Sequence, residues 1–150
     1  MNEDVNLSCA LSSQSNNWDT IQWRKVIQRV IRLQRRIAKA VKKKQWGKAK
    51  ALMYLLTKSF YAKLLAVFRV TNNKGGSTPG VDNEIWLSGE EKFYQAKQLK
   101  ARAYSPKPLR RVYILKKNGK KRPLSIPTMK DRAMQTLYAI ALEPWAELLS

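Results

Sequence analysis

The side chains able to do acid–base or metal chemistry are few in this sequence. Histidine is absent, and Cys9 is the one cysteine. Without histidine there is no Ser-His-Asp or Cys-His relay. A single cysteine forms no internal disulfide and makes no zinc set. That leaves 10 Asp and Glu. Asp82, Glu84, Glu90 and Glu91 form one acidic island, and beyond it stand only Asp131, Glu143 and Glu147. Two-metal catalysis needs carboxylates from separate segments gathered at one point. Asp131 reads as a helix-start residue, and Glu143 and Glu147 flank Pro144 near the end of the same helix. This spacing predicts no such cluster, so no catalytic and no metal-ligating residue is assigned.

The abundant chemistry is cationic. Thirty Lys and Arg against those ten acids give the 150 residues a formal charge of +20. From Thr20 to Val81 there are 16 basic residues and no acid, and Lys97 to Arg132 holds 13 with Asp131 alone opposing them. Exposed helices ordinarily mix signs, because opposite charges four apart stabilise and like charges repel. A phosphate backbone is the simplest compensation for so large a surplus. Nucleic acid is therefore the expected partner, ahead of an anionic membrane surface. No apolar run approaches the ~20 residues of a membrane helix. The start Met1-Asn-Glu-Asp-Val5 is acidic and polar rather than a basic region before an apolar stretch. No membrane partner and a cytoplasmic location are expected. The length suits one domain, and 44% hydrophobic residues suffice for a core.

These cations must be positioned by helices and a hairpin. Residues 1–17 are Ser/Asn-rich and read as a flexible tail. Trp18 to Trp46 predicts one long helix, capped by Asp19 or Thr20. Its apolar stripe is Trp23, Val26, Ile27, Val30, Leu33, Ile37 and Val41, with the cations opposite. Gly47 fits a stop or sharp bend. Lys48 to Val70 predicts a second helix, burying Leu52, Leu55, Leu56, Phe60, Leu64, Val67 and Phe68 and lying antiparallel to the first. Thr71 to Gly80 is a loop, either a phosphate-binding one or a plain connector. Ser88 and Glu91 form a capping-box pattern for a helix from Gly89 to Ala103. Tyr104 to Pro108 is held extended by its prolines. Leu109–Leu115 and Lys121–Ile126 read as strands joined at Asn118-Gly119, the signature of a type I′ turn. Pro123 marks an edge. Lys116, Lys117, Lys120, Lys121 and Arg122 ring the tip. A last helix follows Thr128, and Glu143-Pro144 is expected to end or kink it. The fold class is α+β, mostly α.

Three blocks resemble the start of a group II intron reverse transcriptase/maturase. They are Ser77-Thr-Pro-Gly-Val-Asp82, Tyr104-x-Pro-x-Pro-Leu-Arg-Arg-Val-Tyr-Ile114, and Lys116-x-Asn-Gly-Lys-x-Arg-Pro-Leu-x-Ile-Pro-Thr-x-x-Asp-Arg-x-x-Gln135. Lys58-Ser-Phe-Tyr61 through Arg69-Val-Thr71 is similar to that family's N-terminal region. Two positions depart from its pattern: Asn83 and Ser125 stand where glycine is usual.

The resemblance implies a basic N-terminal helical region over 18–70 and a fingers subdomain over 71–150. It implies RNA, intron or template, as partner. The basic helix would grip intron RNA through Arg24, Arg32, Arg35, Arg36, Lys39, Lys42 and Lys43. Lys74 would lie in a template-clamping loop, with Lys107, Arg110 and Arg111 also on RNA. Lys117, Lys120, Lys121 and Arg122 would meet template or nucleotide triphosphate, Arg122 foremost because a guanidinium forks onto two phosphate oxygens. The family polymerises DNA in a palm with a Tyr-x-Asp-Asp turn, which this sequence lacks. Mg2+ and dNTP are accordingly expected only for a complete enzyme, and inactivity for this chain alone. Two alternatives remain: half of a split enzyme that needs a palm- and thumb-bearing partner chain, and a structured-RNA-binding module with no enzymatic role; a DNA target is a further candidate partner.

Overall fold

The computed structural model describes residues 18–149. The tail expected over 1–17, Cys9 included, lies outside them. Five helices and one hairpin come in the order α1 Trp23–Lys42, α2 Trp46–Lys58, α3 Phe60–Asn72, α4 Gly89–Gln98, β1 Arg110–Leu115, β2 Lys121–Ile126 and α5 Met129–Leu149. The α+β, mostly α class is borne out.

The first helix starts later than its periodicity suggests. Trp18–Thr20 forms a separate 3-10 turn, and Gln22, not Asp19 or Thr20, occupies the cap position. Burial decides this. Trp18 packs edge-on to Trp23 and against Gly89, where a Cβ would come within 2.8 Å of the Trp18 Cβ. Val26, Val30, Ile37 and Val41 are buried as the stripe requires, but Ile27 is 40% exposed.

The end of α1 is made by Lys44, not by Gly47. Lys44 has φ 55°, its N–H donates to Val41 O at 2.9 Å, and the Gln45 N–H donates to Ala40 O at 2.9 Å. This is a Schellman closure with lysine in the position glycine usually takes. Gly47 falls inside the first turn of α2. A side chain in the left-handed region costs about 1 kcal/mol. Lys44→Gly is therefore expected to stabilise the chain by about 1 kcal/mol, read as a higher urea midpoint. Lys44→Ala keeps the strain while removing the charge. An equal gain from alanine would assign the effect to charge repulsion instead.

The single helix expected from Lys48 to Val70 is two helices bent by 65°. Ser59 is extended (φ −66°, ψ 128°), and just before it the Thr57 hydroxyl folds back to Tyr54 O at 2.8 Å. No glycine or proline announces the break. Its cause lies in α3, where Tyr61, Ala62, Leu64 to Val67 and Val70 are all buried. An all-round apolar helix must enter the core, whereas α2 lies along α1 with Leu55 left outside. Helix α3 accordingly packs on α1, α4 and α5. One buried cluster runs from Trp18 through Phe93 to Ala141. Among the described residues no single helix is long and apolar enough to cross a membrane.

Pro144 does not end the last helix, which continues to Leu149 with the proline buried inside it. A proline removes the donor for the carbonyl four residues back. That carbonyl is Ile140 O, and Gln34 Nε2 on α1 donates to it at 2.9 Å. The same amide reaches Glu143 Oε2 at 3.1 Å. The defect is thus repaired from a neighbouring helix.

Helix α4 opens on the expected cap, with Ser88 Oγ accepting from the Glu91 N–H at 3.2 Å, but it stops at Gln98, before a buried Leu99.

Candidate nucleic-acid interface

The hairpin pairs Arg110 with Ile126 through Leu115 with Lys121 in antiparallel register. Its turn is longer than a type I′ turn. The Gly119 N–H donates to Lys116 O at 3.1 Å, and the Lys116 N–H donates to Lys120 O at 2.8 Å. Gly119 is left-handed at φ 79°, while Asn118 is not. A type I′ turn needs positive φ at both central residues, so the loop holds three residues, closed by the glycine. Asn118 contributes otherwise: its Oδ1 accepts the Lys120 N–H at 3.1 Å.

Residues opposite each other in an antiparallel pair share a face. One face therefore carries Arg110, Val112, Ile114, Arg122, Leu124 and Ile126. The other carries Arg111, Tyr113, Leu115, Lys121, Pro123 and Ser125. Lys121 and Arg122, adjacent in sequence, point to opposite sides. Only Val112 and Ile126, at the base of the Arg122 face, are half-buried; Leu115 is 71% exposed. The hairpin projects from the helical body rather than packing on it.

Its base is anchored by a knot of motif residues. Asp131, only 6% exposed, accepts from the Tyr104 hydroxyl on Oδ1 and from the Lys107 N–H on Oδ2 at 3.1 Å. Its own N–H is capped by Thr128 Oγ1 at 3.2 Å. Next to it, Arg132 donates to Gly75 O at 2.7 Å and to Thr78 O. Burial pushes the Arg132 guanidinium below its ordinary value, and the Asp82 charge works against that shift. Arg110 donates to Pro79 O at 3.2 Å, and Lys107 Nζ lies 3.6 Å from Asp82 Oδ2. Gly80 meets the start of α5 so closely that a Cβ would sit 2.7 Å from Thr128 Cα. A Cβ on Gly76 would sit 2.4 Å from Thr71 O. Close approach, rather than backbone freedom, is why glycine stands at both places.

The segment after α3 is thus no slack connector. It forms a 3-10 turn, Lys74–Ser77, and an extended stretch docked on α5 and the hairpin base. Sequence reading gave Asp131 a helix-start role but missed its reach to Tyr104 and Lys107, and missed Arg132 altogether. The signal was present: both lie in the longest motif block, at a helix start where solvent exposure would need neither.

Residues 18–99 match the family model described as the N-terminal domain of reverse transcriptase. The chain belongs to this family. It is 44% identical over 93 residues to the group II intron-encoded protein LtrA of Lactococcus lactis subsp. cremoris, covering 60% of this chain and 15% of that one. Protein YkfC of Escherichia coli is 44% identical over 82 residues, 51% of this chain and 22% of its own. Maturase-like protein 1 of Euglena longa is 28% identical over 146 residues, 95% of this chain and 31% of its own. The chain spans less than a third of each relative. The resemblance to the N-terminal region of group II intron reverse transcriptases and maturases is borne out.

The two departures from the family pattern have different consequences. Asn83 has φ 59°, which explains the usual glycine, and asparagine is among the residues that best tolerate that region. Ser125 lies within β2 opposite Arg111, a position that accepts a side chain without strain.

The cations expected on RNA fall into two patches. Arg24, Arg32, Arg35, Arg36, Lys39, Lys42 and Lys43 are all on or at the end of a helix that packs on α2, α3 and α5, and all seven are exposed. Lys117, Lys120, Lys121 and Arg122 are exposed around the hairpin tip, with Arg111 on its flank and Lys74 in the docked turn. Lys107 and Arg110 are engaged within the knot. Among the described residues no group of three His, Cys, Asp or Glu lies close enough to hold a metal ion. Three of the carboxylates are engaged with neighbours: Asp131 with Tyr104 and Lys107, Asp82 with Lys107, Glu143 with Gln34.

Proposed function

We propose that this region binds RNA, intron or template, through phosphate contacts at the hairpin tip and along α1, and has no polymerase activity alone. The observation that carries the reading is the anchored, projecting hairpin. Four of its cations surround a tip that buries nothing, on a base held by Asp131, Arg132 and Arg110. Cations held on a projecting arm, with no acid on the hairpin, bring no partner of their own. A phosphate backbone supplies one. Catalysis, on this reading, takes its carboxylates from outside these residues, in the same or another polypeptide.

A salt titration tests the binding. Log K for single-stranded RNA should fall linearly with log salt, by roughly 0.7 per phosphate neutralised. A flat response would remove the electrostatic basis of the proposal. Primer extension by the pure chain with Mg2+ and dNTP is expected to yield nothing, and any extension would overturn the inactivity.

A further inference from the structure

A cavity of about 860 Å³ opens between α2, the start of α3, the turn after α4 and the outer side of α5. Lys58, Lys63, Lys100 and Arg102 line it, with the rings of Tyr54 and Tyr138. No carboxylate is among its lining residues. None of these six belongs to the hairpin or to the cationic face of α1.

We propose that this cavity receives one unpaired nucleotide of bound RNA, its phosphate on the lysines and its base on the tyrosine rings. The inference rests on the RNA-binding reading above and adds a site with its own preference, for a nucleotide free of a duplex.

Charge and shape both point there. Four cations around one hollow repel each other, and no carboxylate lining it offsets them. Burial, followed by the charges of Lys100 and Lys58, holds the Lys63 ammonium below its ordinary value. An entering phosphate offsets the repulsion among these charges and favours the charged form of Lys63, against the cost of its burial. Tyr54 is 61% exposed, and Lys58 Nζ stands 4.4 Å from its ring centroid. Tyrosine beside lysine at a wet surface is the composition of a base-stacking platform. The cavity is of the size that encloses a small molecule, not a helix of paired bases. Recognition of RNA commonly selects nucleotides splayed from the stack, because their faces are open to aromatic rings. An acidic polypeptide would answer the lysines but leave both rings without a stacking partner.

The test uses the 150-residue chain and two RNA duplexes, identical except that one carries a single bulged 5-bromouridine. At one fixed salt concentration, the bulged duplex is expected to bind about fivefold or more tighter. Irradiation should crosslink the bulge to a peptide containing Tyr54 or Tyr138. Tyr54→Ala and Tyr138→Ala together should abolish the preference while leaving affinity for the paired duplex within about twofold. Lys63→Met should weaken the bulged complex more than the paired one. No preference in the unaltered chain, or crosslinks confined to the hairpin, would overturn the proposal while leaving general RNA binding intact. Displacement of the bulged RNA from this site by an oligoglutamate peptide would assign the cavity to a polypeptide and equally overturn it. Failure to bind either duplex would instead refute the RNA-binding reading on which the proposal stands.

Discussion

Asp131→Ala is expected to destabilise the chain by about 3 kcal/mol and to lower Tm by roughly 10 °C. The reason is the number of groups it would orphan. The Asp131 carboxylate accepts from the Tyr104 hydroxyl and the Lys107 N–H, and the residue is nearly fully buried. Both bonds are part-buried, and each donor left without its acceptor costs about 1 kcal/mol or more, with the loss of the buried Asp131 contacts added. Tyr104→Phe removes one donor and keeps the Lys107 contact, so about 1 kcal/mol is expected for it. The pair should not be additive. In the Asp131→Ala background the Tyr104 hydroxyl has lost its acceptor, and removing it should cost nothing further or restore some stability. Urea unfolding of the four chains of this cycle, at constant m, measures the coupling. Additive losses would mean that Asp131 acts only as a helix-start residue.

The same contact separates what the sequence shows from what it hides. Periodicity placed α1 and the buried halves of its stripe because one side of that helix meets the core and the other meets water. Ser88 and Glu91 placed the start of α4 because a cap is a local bond. The return strand was legible to the residue. The bend at Ser59 was not, because its cause is the packing of α3 among three helices, which no local residue type announces. Proline at 144 does not end its helix for a related reason: its local cost is real, but Gln34, over a hundred residues away, supplies the missing donor. The Asn-Gly dipeptide marked the turn correctly and its type incorrectly, since one left-handed glycine is enough when the loop has three residues. For the site, the positive residues were plain in the composition. The knot of Asp131, Arg132, Gly76 and Gly80 that aims them depends on contacts across dozens of residues. It was visible only as a motif whose spacing had no local explanation. The cluster of Lys58, Lys63, Lys100 and Arg102 comes from three separate segments and had no pattern to betray it.

Neutralising Lys117, Lys120, Lys121 and Arg122 together to glutamine is expected to weaken binding to single-stranded RNA on the order of 100-fold at about 0.15 M salt. Each contact that releases a counterion contributes roughly fourfold under those conditions, and three such contacts, with Lys121 adding little, multiply to that order. The slope of log K against log salt should flatten by about 2 for the same reason. Stability should change little, because all four side chains are exposed and the hairpin base is held elsewhere. The single substitutions carry the finer geometry. Arg122 shares its face with Arg110 and with the half-buried Val112 and Ile126, the side tied to the loop at Pro79. Lys121 shares its face with Tyr113 and Leu115, turned the other way. An RNA strand lying between loop and hairpin meets the first face and not the second. Arg122→Gln should then cost about fivefold or more, since a guanidinium holds phosphate by two bonds, and Lys121→Gln under about twofold. Equal losses would mean that the strand wraps the tip from both sides, in which case the loop that Arg132 and Arg110 hold in place is not one jaw of a clamp.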